Sequence, residues 1–219
     1  MTTAYADTTA TRQEIIDACR WMNARGINQG TSGNISVRVA DSLLITPSGV
    51  PYDVMTPDMI VRLPTEGAAQ PQGDLTPSSE WRFHQSVMAA RPDMHVTVHA
   101  HPAHATAVAM QNRAIPACHY MVAAFGGGDV PLAPYALFGS SELAAYVATA
   151  MADRHGCLMA GHGATVVGES IARALWRMEE LENLARVFLL SQTGGAPVIL
   201  TDAQVAEVVT AFAGYGPRK

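Results

Sequence analysis

Positive charge is scarce in this chain and nowhere gathered. Lys and Arg number 14 against 19 Asp and Glu, a formal net charge of −5 over 219 residues. No segment collects the basic cluster that a nucleic-acid footprint or a membrane-surface patch requires, so neither partner is expected. Long apolar runs are missing too: Gly, His or a charge interrupts each within about ten residues, far short of the roughly 20 that span a bilayer. Residues 1–11 are small and polar, without a basic start and an apolar core, and no export signal is read there. Cysteine is sparse and odd in number, with Cys19, Cys118 and Cys157 far apart in segments that otherwise read as core. Buried free thiols in a reducing compartment are the favoured reading, and a cytoplasmic location is the expectation.

Apolar residues are plentiful, at 48% of the chain, and 219 residues suffice to bury one core. Ile15, Ile16, Cys19 and Met22 recur at helical spacing before Gly26, which predicts a helix over 11–24. Alternation at Ile35, Val37 and Val39, a turn near Asp41 and an apolar run over 43–45 predict a β-hairpin. Residues 64–77, rich in Pro, Gly and Gln, read as an exposed loop leading to a helix that Ser78 or Ser79 would cap. The period-two run over 94–99 reads as a strand, with β-branched Val96, Thr97 and Val98 in support. Helical patterns over 103–110, 141–153 and 170–191 alternate with short strands near 130–132, 158–160 and 164–167. Thr201 and Gln204 have the spacing of a capping box and open a last helix ending near Gly214. The fold class is therefore α/β: a single mixed domain with a central sheet covered by helices, its residues 1–11 flexible.

The strongest local signal is Val98-His99-Ala100-His101. Residues two apart on a strand share a face, so His99 and His101 can present both imidazoles to one metal ion. His162, between Gly161 and Gly163, offers a third, because the glycines allow a sharp turn and a close ligand. Three neutral imidazoles with one position left open form the pattern of a catalytic zinc site. Alone, each is also compatible with a solvated pair or an ordinary turn histidine, and His84, His95, His104, His119 and His155 are assigned to structure. Thr76-Pro77-Ser78-Ser79-Glu80 is either an anion site at a helix start or simply a capped helix. Thr31-Ser32-Gly33-Asn34 and Thr46-Pro47-Ser48-Gly49 carry the same ambiguity, each a small-residue turn at the edge of a hairpin, and three such hydroxyl-rich turns in one chain suggest a phosphate cradle.

These segments, with Ile115-Pro116-Ala117-Cys118-His119-Tyr120-Met121, Ala133-Pro134-Tyr135-Ala136-Leu137-Phe138-Gly139, Gly161-His162-Gly163 and Tyr215-Gly216, resemble the class II aldolase/adducin family over nearly the whole chain beyond the first dozen residues. The resemblance implies a three-layer fold with a mainly antiparallel central sheet and a mobile 214–219 tail, and one Zn2+ per subunit on His99, His101, His162 and Glu80, with Mn2+ or Co2+ as substitutes. Glu80 would double as the base that removes a proton from dihydroxyacetone phosphate. Asn34, Ser48, Gly49, Ser78 and Ser79 would hold the phosphate. Tyr120 would act across a subunit boundary and Tyr215 from a closing tail, although on their own they read as a core or interface aromatic and a frayed-end residue. Phe138 and Phe125 would shape the aldehyde pocket. The implied assembly is a homotetramer with interface active sites.

The implied reaction is reversible cleavage of a (deoxy)ketose 1-phosphate, such as L-fuculose 1-phosphate or 5-deoxyribulose 1-phosphate. Family alternatives are an epimerase, a decarboxylase, a methylthioribulose-1-phosphate dehydratase or a non-catalytic adducin-like module. The chain departs from the family pattern at Phe125, at Asp129 and at Ala160-Gly161, which leaves the aldehyde half of the substrate open.

Overall fold

The apolar stripe of the first helix finds its place against a sheet. In the computed structural model, which describes residues 5–69 and 75–212, α1 (Thr9–Ala24) buries Ile15, Ile16, Cys19 and Met22. Thr8 caps it, its hydroxyl accepting from the Thr11 amide at 3.2 Å. The expected flexibility of 1–11 does not extend to residues 5–11. The Tyr5 hydroxyl accepts from the Ile171 amide at 2.9 Å and Tyr5 bridges to Val39, which pins this stretch to the body of the protein.

The sheet is built from β1 (Asn34–Val39), β2 (Ser42–Ile45), β3 (Val61–Pro64), β4 (Val96–Ala100), β7 (Leu132–Ala133), β8 (Gly156–Met159) and β9 (Gly163–Gly168), in the order β3-β2-β1-β4-β9-β8-β7. β5 (Ile115–Pro116) and β6 (Asp129–Val130) form a separate two-stranded ribbon. Neighbours in the large sheet pair antiparallel, except β7 and β8, which run parallel. The expected mainly antiparallel sheet is thus a mixed one. The strand expected near 130–132 is two, because the chain changes sheets at Pro131.

Helices cover both faces. Ile35, Val37, Val96, Val98 and Val166 pack with α1, with α3 (Ala103–Met110) and with α5 (Ile171–Ser191) in the main core. On the opposite face α2 (Trp81–Ala90) and α4 (Ser141–Ala150) supply Phe83, Val87, Leu143 and Val147 to a second cluster. The α6 helix (Asp202–Phe212) opens with the expected capping box, Thr201 and Gln204 exchanging hydrogen bonds at 2.9 and 3.3 Å. Gly214, where this helix was expected to end, lies outside the described residues, as does the 214–219 tail. Cys19 and Cys157 are free and buried, whereas Cys118 is only partly buried.

The helix expected to be capped by Ser78 or Ser79 begins later, at Trp81. The Ser78 amide donates to the Thr46 carbonyl and the Ser48 amide to that of Thr76, both at 3.0 Å, which holds 76–78 extended along the end of β2. The same pairing takes the end of the expected 64–77 loop out of solvent, and Pro77 is buried.

Phe125, expected in the aldehyde pocket, is instead a core side chain with 0% exposure. It lies in a 3-10 turn over 120–125, and its ring presses on Gly156, where an added Cβ would fall 2.9 Å from it. Phe125→Ala should therefore lower stability by about 3–5 kcal/mol. Urea unfolding checks this, and an unchanged midpoint would contradict the packing.

Candidate active site

Strand register brings the first pieces together. Asn34 on β1 stands opposite His99 on β4, and His99 opposite Thr165 on β9, a row across three neighbouring strands. Val96, Val98 and Ala100 fill the main core, so His99 points to the other face, where its ring meets Phe83 edge-on at 5.4 Å. His101 follows just beyond β4, and His162 sits in the turn between β8 and β9. Gly161 takes a left-handed φ of +60°, which makes that turn. Gly163 lets β9 pass close to β4: a Cβ there would lie 2.6 Å from both the Ala100 carbonyl oxygen and the His101 ring.

The three imidazoles converge, with ring centroids 4.9, 4.9 and 5.0 Å apart. His99 Nε2 lies 3.0 Å from His101 Nε2 and 3.1 Å from Glu80 Oε2. His162 Nε2 lies 3.2 Å from Glu80 Oε1, yet that buried oxygen has no hydrogen-bond partner. On its far side, His99 Nδ1 donates to the Ala164 carbonyl at 2.9 Å, which leaves Nε2 as the nitrogen that faces the cluster. Lone pairs and a carboxylate aimed at one point are the donor set of a divalent cation, and the residues present fit a metal ion.

The electrostatics agree. Burial alone would push the Glu80 carboxyl up, but the adjoining imidazoles of His99 and His162 outweigh it and hold Glu80 well below the usual carboxylate range. Burial, reinforced by the neighbouring His99 and His162 rings, pushes His101 down to about 4. Glu80 is thus ionised and His101 neutral near pH 7, the protonation states that metal binding needs.

Glu80, His101 and His162 line a cavity of about 500 Å3, with His99 fully buried against them. Asn34, Ser48, Gly49, Ser78 and Ser79, the five expected phosphate residues, line it together with the Thr31-Ser32-Gly33 turn. Tyr135, Phe138 and Gly161 form its more apolar side. Among the described residues its lining contains no Lys or Arg, as expected of a cradle made from neutral donors.

Of the two expected tyrosines, only Tyr120 falls among the described residues. Tyr120, 53% exposed, lines a separate cavity of about 700 Å3 with Trp176 and Phe212, and Tyr215 lies outside the described residues. His84, assigned to structure from sequence, belongs beside the site: its Nε2 donates to Asn34 Oδ1 at 2.5 Å, and the Asn34 amide donates to Glu80 Oε2 at 3.0 Å. The signal was its place four residues after Glu80, one helical turn on.

Three imidazoles and a carboxylate beside a hydroxyl-lined cavity, at the end of a helix-covered sheet, form a site that could hold a divalent cation next to a polar ligand. The family model described as Class II Aldolase and Adducin N-terminal domain matches residues 13–189, and the chain belongs to that family. It is 45% identical over 207 residues to an L-fuculose phosphate aldolase of Escherichia coli strain K12, covering 94% of this chain and 95% of that protein. It is 42% identical over 208 residues to a 5-methylthioribulose-1-phosphate/5-deoxyribulose-1-phosphate aldolase of Escherichia coli O45:K1, covering 93% and 95%. A solved structure of an L-fuculose 1-phosphate aldolase superposes with a TM-score of 0.90 at 33% identity, covering 94% of this chain and 97% of that one.

Three partly or fully buried histidines carry lowered pKa values, His101 and His155 at about 4 and His84 at about 3, chiefly through burial. Each resists protonation when folded but accepts a proton near pH 6.5 once unfolded, so the stability they allow is complete above 6.5 and is lost as pH falls toward 4. The melting temperature of metal-free protein should fall across that window; a flat profile would contradict these environments.

Proposed function

We propose that this chain is a zinc-dependent class II aldolase that reversibly cleaves a (deoxy)ketose 1-phosphate, such as L-fuculose 1-phosphate or 5-deoxyribulose 1-phosphate, to dihydroxyacetone phosphate and a short aldehyde. The observation that carries the reading is that Glu80, His101 and His162, with His99 buried against them, border the same cavity as the five residues expected to hold the phosphate. His99, His101, His162 and Glu80 would hold the ion in the resting enzyme. Three imidazole ligands suit zinc, with manganese or cobalt as substitutes. Zinc, when bound, supplies Lewis acidity that polarises the substrate ketone and stabilises the negative charge developing on its oxygen.

The remaining steps belong to the chain. The hydroxyls of Ser48, Ser78 and Ser79, the Asn34 amide and the backbone at Gly49 orient the phosphate end. In cleavage, the bond between the third and fourth carbons breaks, the fourth carbon becomes the aldehyde carbonyl, and the electron pair stays on the third. Glu80 returns a proton to that third carbon, completing the hydroxymethyl group of dihydroxyacetone phosphate, and in synthesis it removes the same proton. Phe138 borders the departing aldehyde.

Tyr120 lies outside this cavity within its own chain, which supports a homotetramer in which Tyr120 and Tyr215 of one subunit serve the site of another and exchange the proton of the aldehyde oxygen. No helix among the described residues is long and apolar enough to cross a membrane, and a cytoplasmic location is part of the reading.

The test follows dihydroxyacetone phosphate released from each of the two substrates, with and without a chelator. Release that chelator abolishes and zinc restores is the expected result, and the faster substrate identifies the aldehyde. Glu80→Gln should lose about 10²–10⁴-fold in rate, the range of a lost general base. No release from zinc-loaded protein would move the assignment to the epimerase, decarboxylase or dehydratase members of the family.

A further inference from the structure

Glu80 fixes the orientation of its neighbours by a one-way chain of hydrogen bonds. An ionised carboxylate only accepts, so the Asn34 group 3.0 Å from Oε2 must be the amide nitrogen. The Asn34 carbonyl oxygen then faces His84, and His84 must donate from Nε2, at 2.5 Å. A neutral imidazole that donates from Nε2 accepts at Nδ1, and there the Ser36 hydroxyl donates at 2.8 Å. Strand and helix spacing make this assembly: Asn34 and Ser36, two apart on β1, share a face, while His84 sits one turn of α2 beyond Glu80. His84, Asn34 and Ser36 are all buried, and burial keeps the ring neutral.

We propose that His84 is a positioning residue for the metal centre: held by Ser36, it locks the Asn34 amide with its nitrogen toward Glu80, and so holds the Glu80 carboxylate in register with the three imidazoles. Without the His84 N–H, the Asn34 amide is free to turn, and its carbonyl oxygen would then oppose the carboxylate. The lock also decides what Asn34 offers the cavity. Its oxygen is taken by His84, which leaves only N–H to face an anionic ligand.

This inference rests on the reading of Glu80 as ligand and base, and the test separates the two. Metal-free protein competes for Zn2+ against a chromophoric chelator, and the loaded protein exchanges the hydroxymethyl hydrogen of dihydroxyacetone phosphate with solvent deuterium. His84→Leu, folded as judged by its melting curve, should bind Zn2+ about 10-fold or more weakly and exchange about 10-fold or more slowly, the range seen when a partner of a metal ligand is lost. His84→Gln, whose side-chain amide can still donate to Asn34, should recover most of both. Equal losses in the two variants would assign the effect to ring packing and overturn the proposal, as would a leucine variant indistinguishable from the parent. If the leucine variant does not fold, Ser36→Ala reads the same chain. It should lose roughly threefold in affinity, a smaller deficit than the loss of a direct ligand partner, and no loss would overturn the proposal. Glu80→Gln is the control: normal exchange there removes the base assignment, while the affinity series still decides the role of His84.

Discussion

A carboxylate held out of water is the fixed point of this structure. Glu80 is 5% exposed, and an ionised group so placed is costly unless charge and hydrogen bonds surround it. Each surrounding group comes from a different element: His99 from the end of β4, His162 from the β8–β9 turn and Asn34 from β1. No local segment can supply this environment. It exists only when the sheet forms in the register that sets Asn34 opposite His99 and His99 opposite Thr165. A slip of one residue would turn His99 into the apolar core and Val98 toward the carboxylate, so site chemistry and sheet register enforce each other.

Much of this was readable from the sequence because it is written in short periods. The His99 and His101 pair follows from period-two alternation, and the hairpin and most helices follow from apolar spacing or caps. The glycines around His162 announced a turn and a close approach, and both are present at Gly161 and Gly163. The ring of five phosphate residues was of another kind. Three separate hydroxyl-rich turns suggested a phosphate cradle but read equally as a helix cap and two hairpin-edge turns, and the resemblance to the family picked out the five residues that the structure places around one cavity.

What escaped the sequence depends on distant partners. A good capping residue at Ser78 was overridden because its backbone is already bonded to Thr46, 32 positions earlier, so propensity lost to sheet-edge pairing. Phe125 looked like a substrate-facing substitution, yet the space beside Gly156 takes its ring into the core. His84 looked like an isolated histidine because its partners Asn34 and Ser36 lie across the chain, and neither identity nor spacing announces a pairing of that range.

The scarcity of basic residues, which first excluded nucleic acid, acquires a chemical meaning at the site. A phosphate-binding cavity lined by Arg or Lys would hold its ligand strongly, but the same cation within a few ångströms of Glu80 would compete for the carboxylate. It would lower the basicity of Glu80 further and draw it away from the imidazoles. A cradle of serine hydroxyls, an amide and backbone N–H groups avoids that conflict, since neutral dipoles bind an anion while adding little to the field at a carboxylate. In the proposed reading, with no Lys or Arg among the described residues of the lining, the ion held by the imidazoles would be the main positive charge near Glu80. Its proton affinity would then be set chiefly by that one centre.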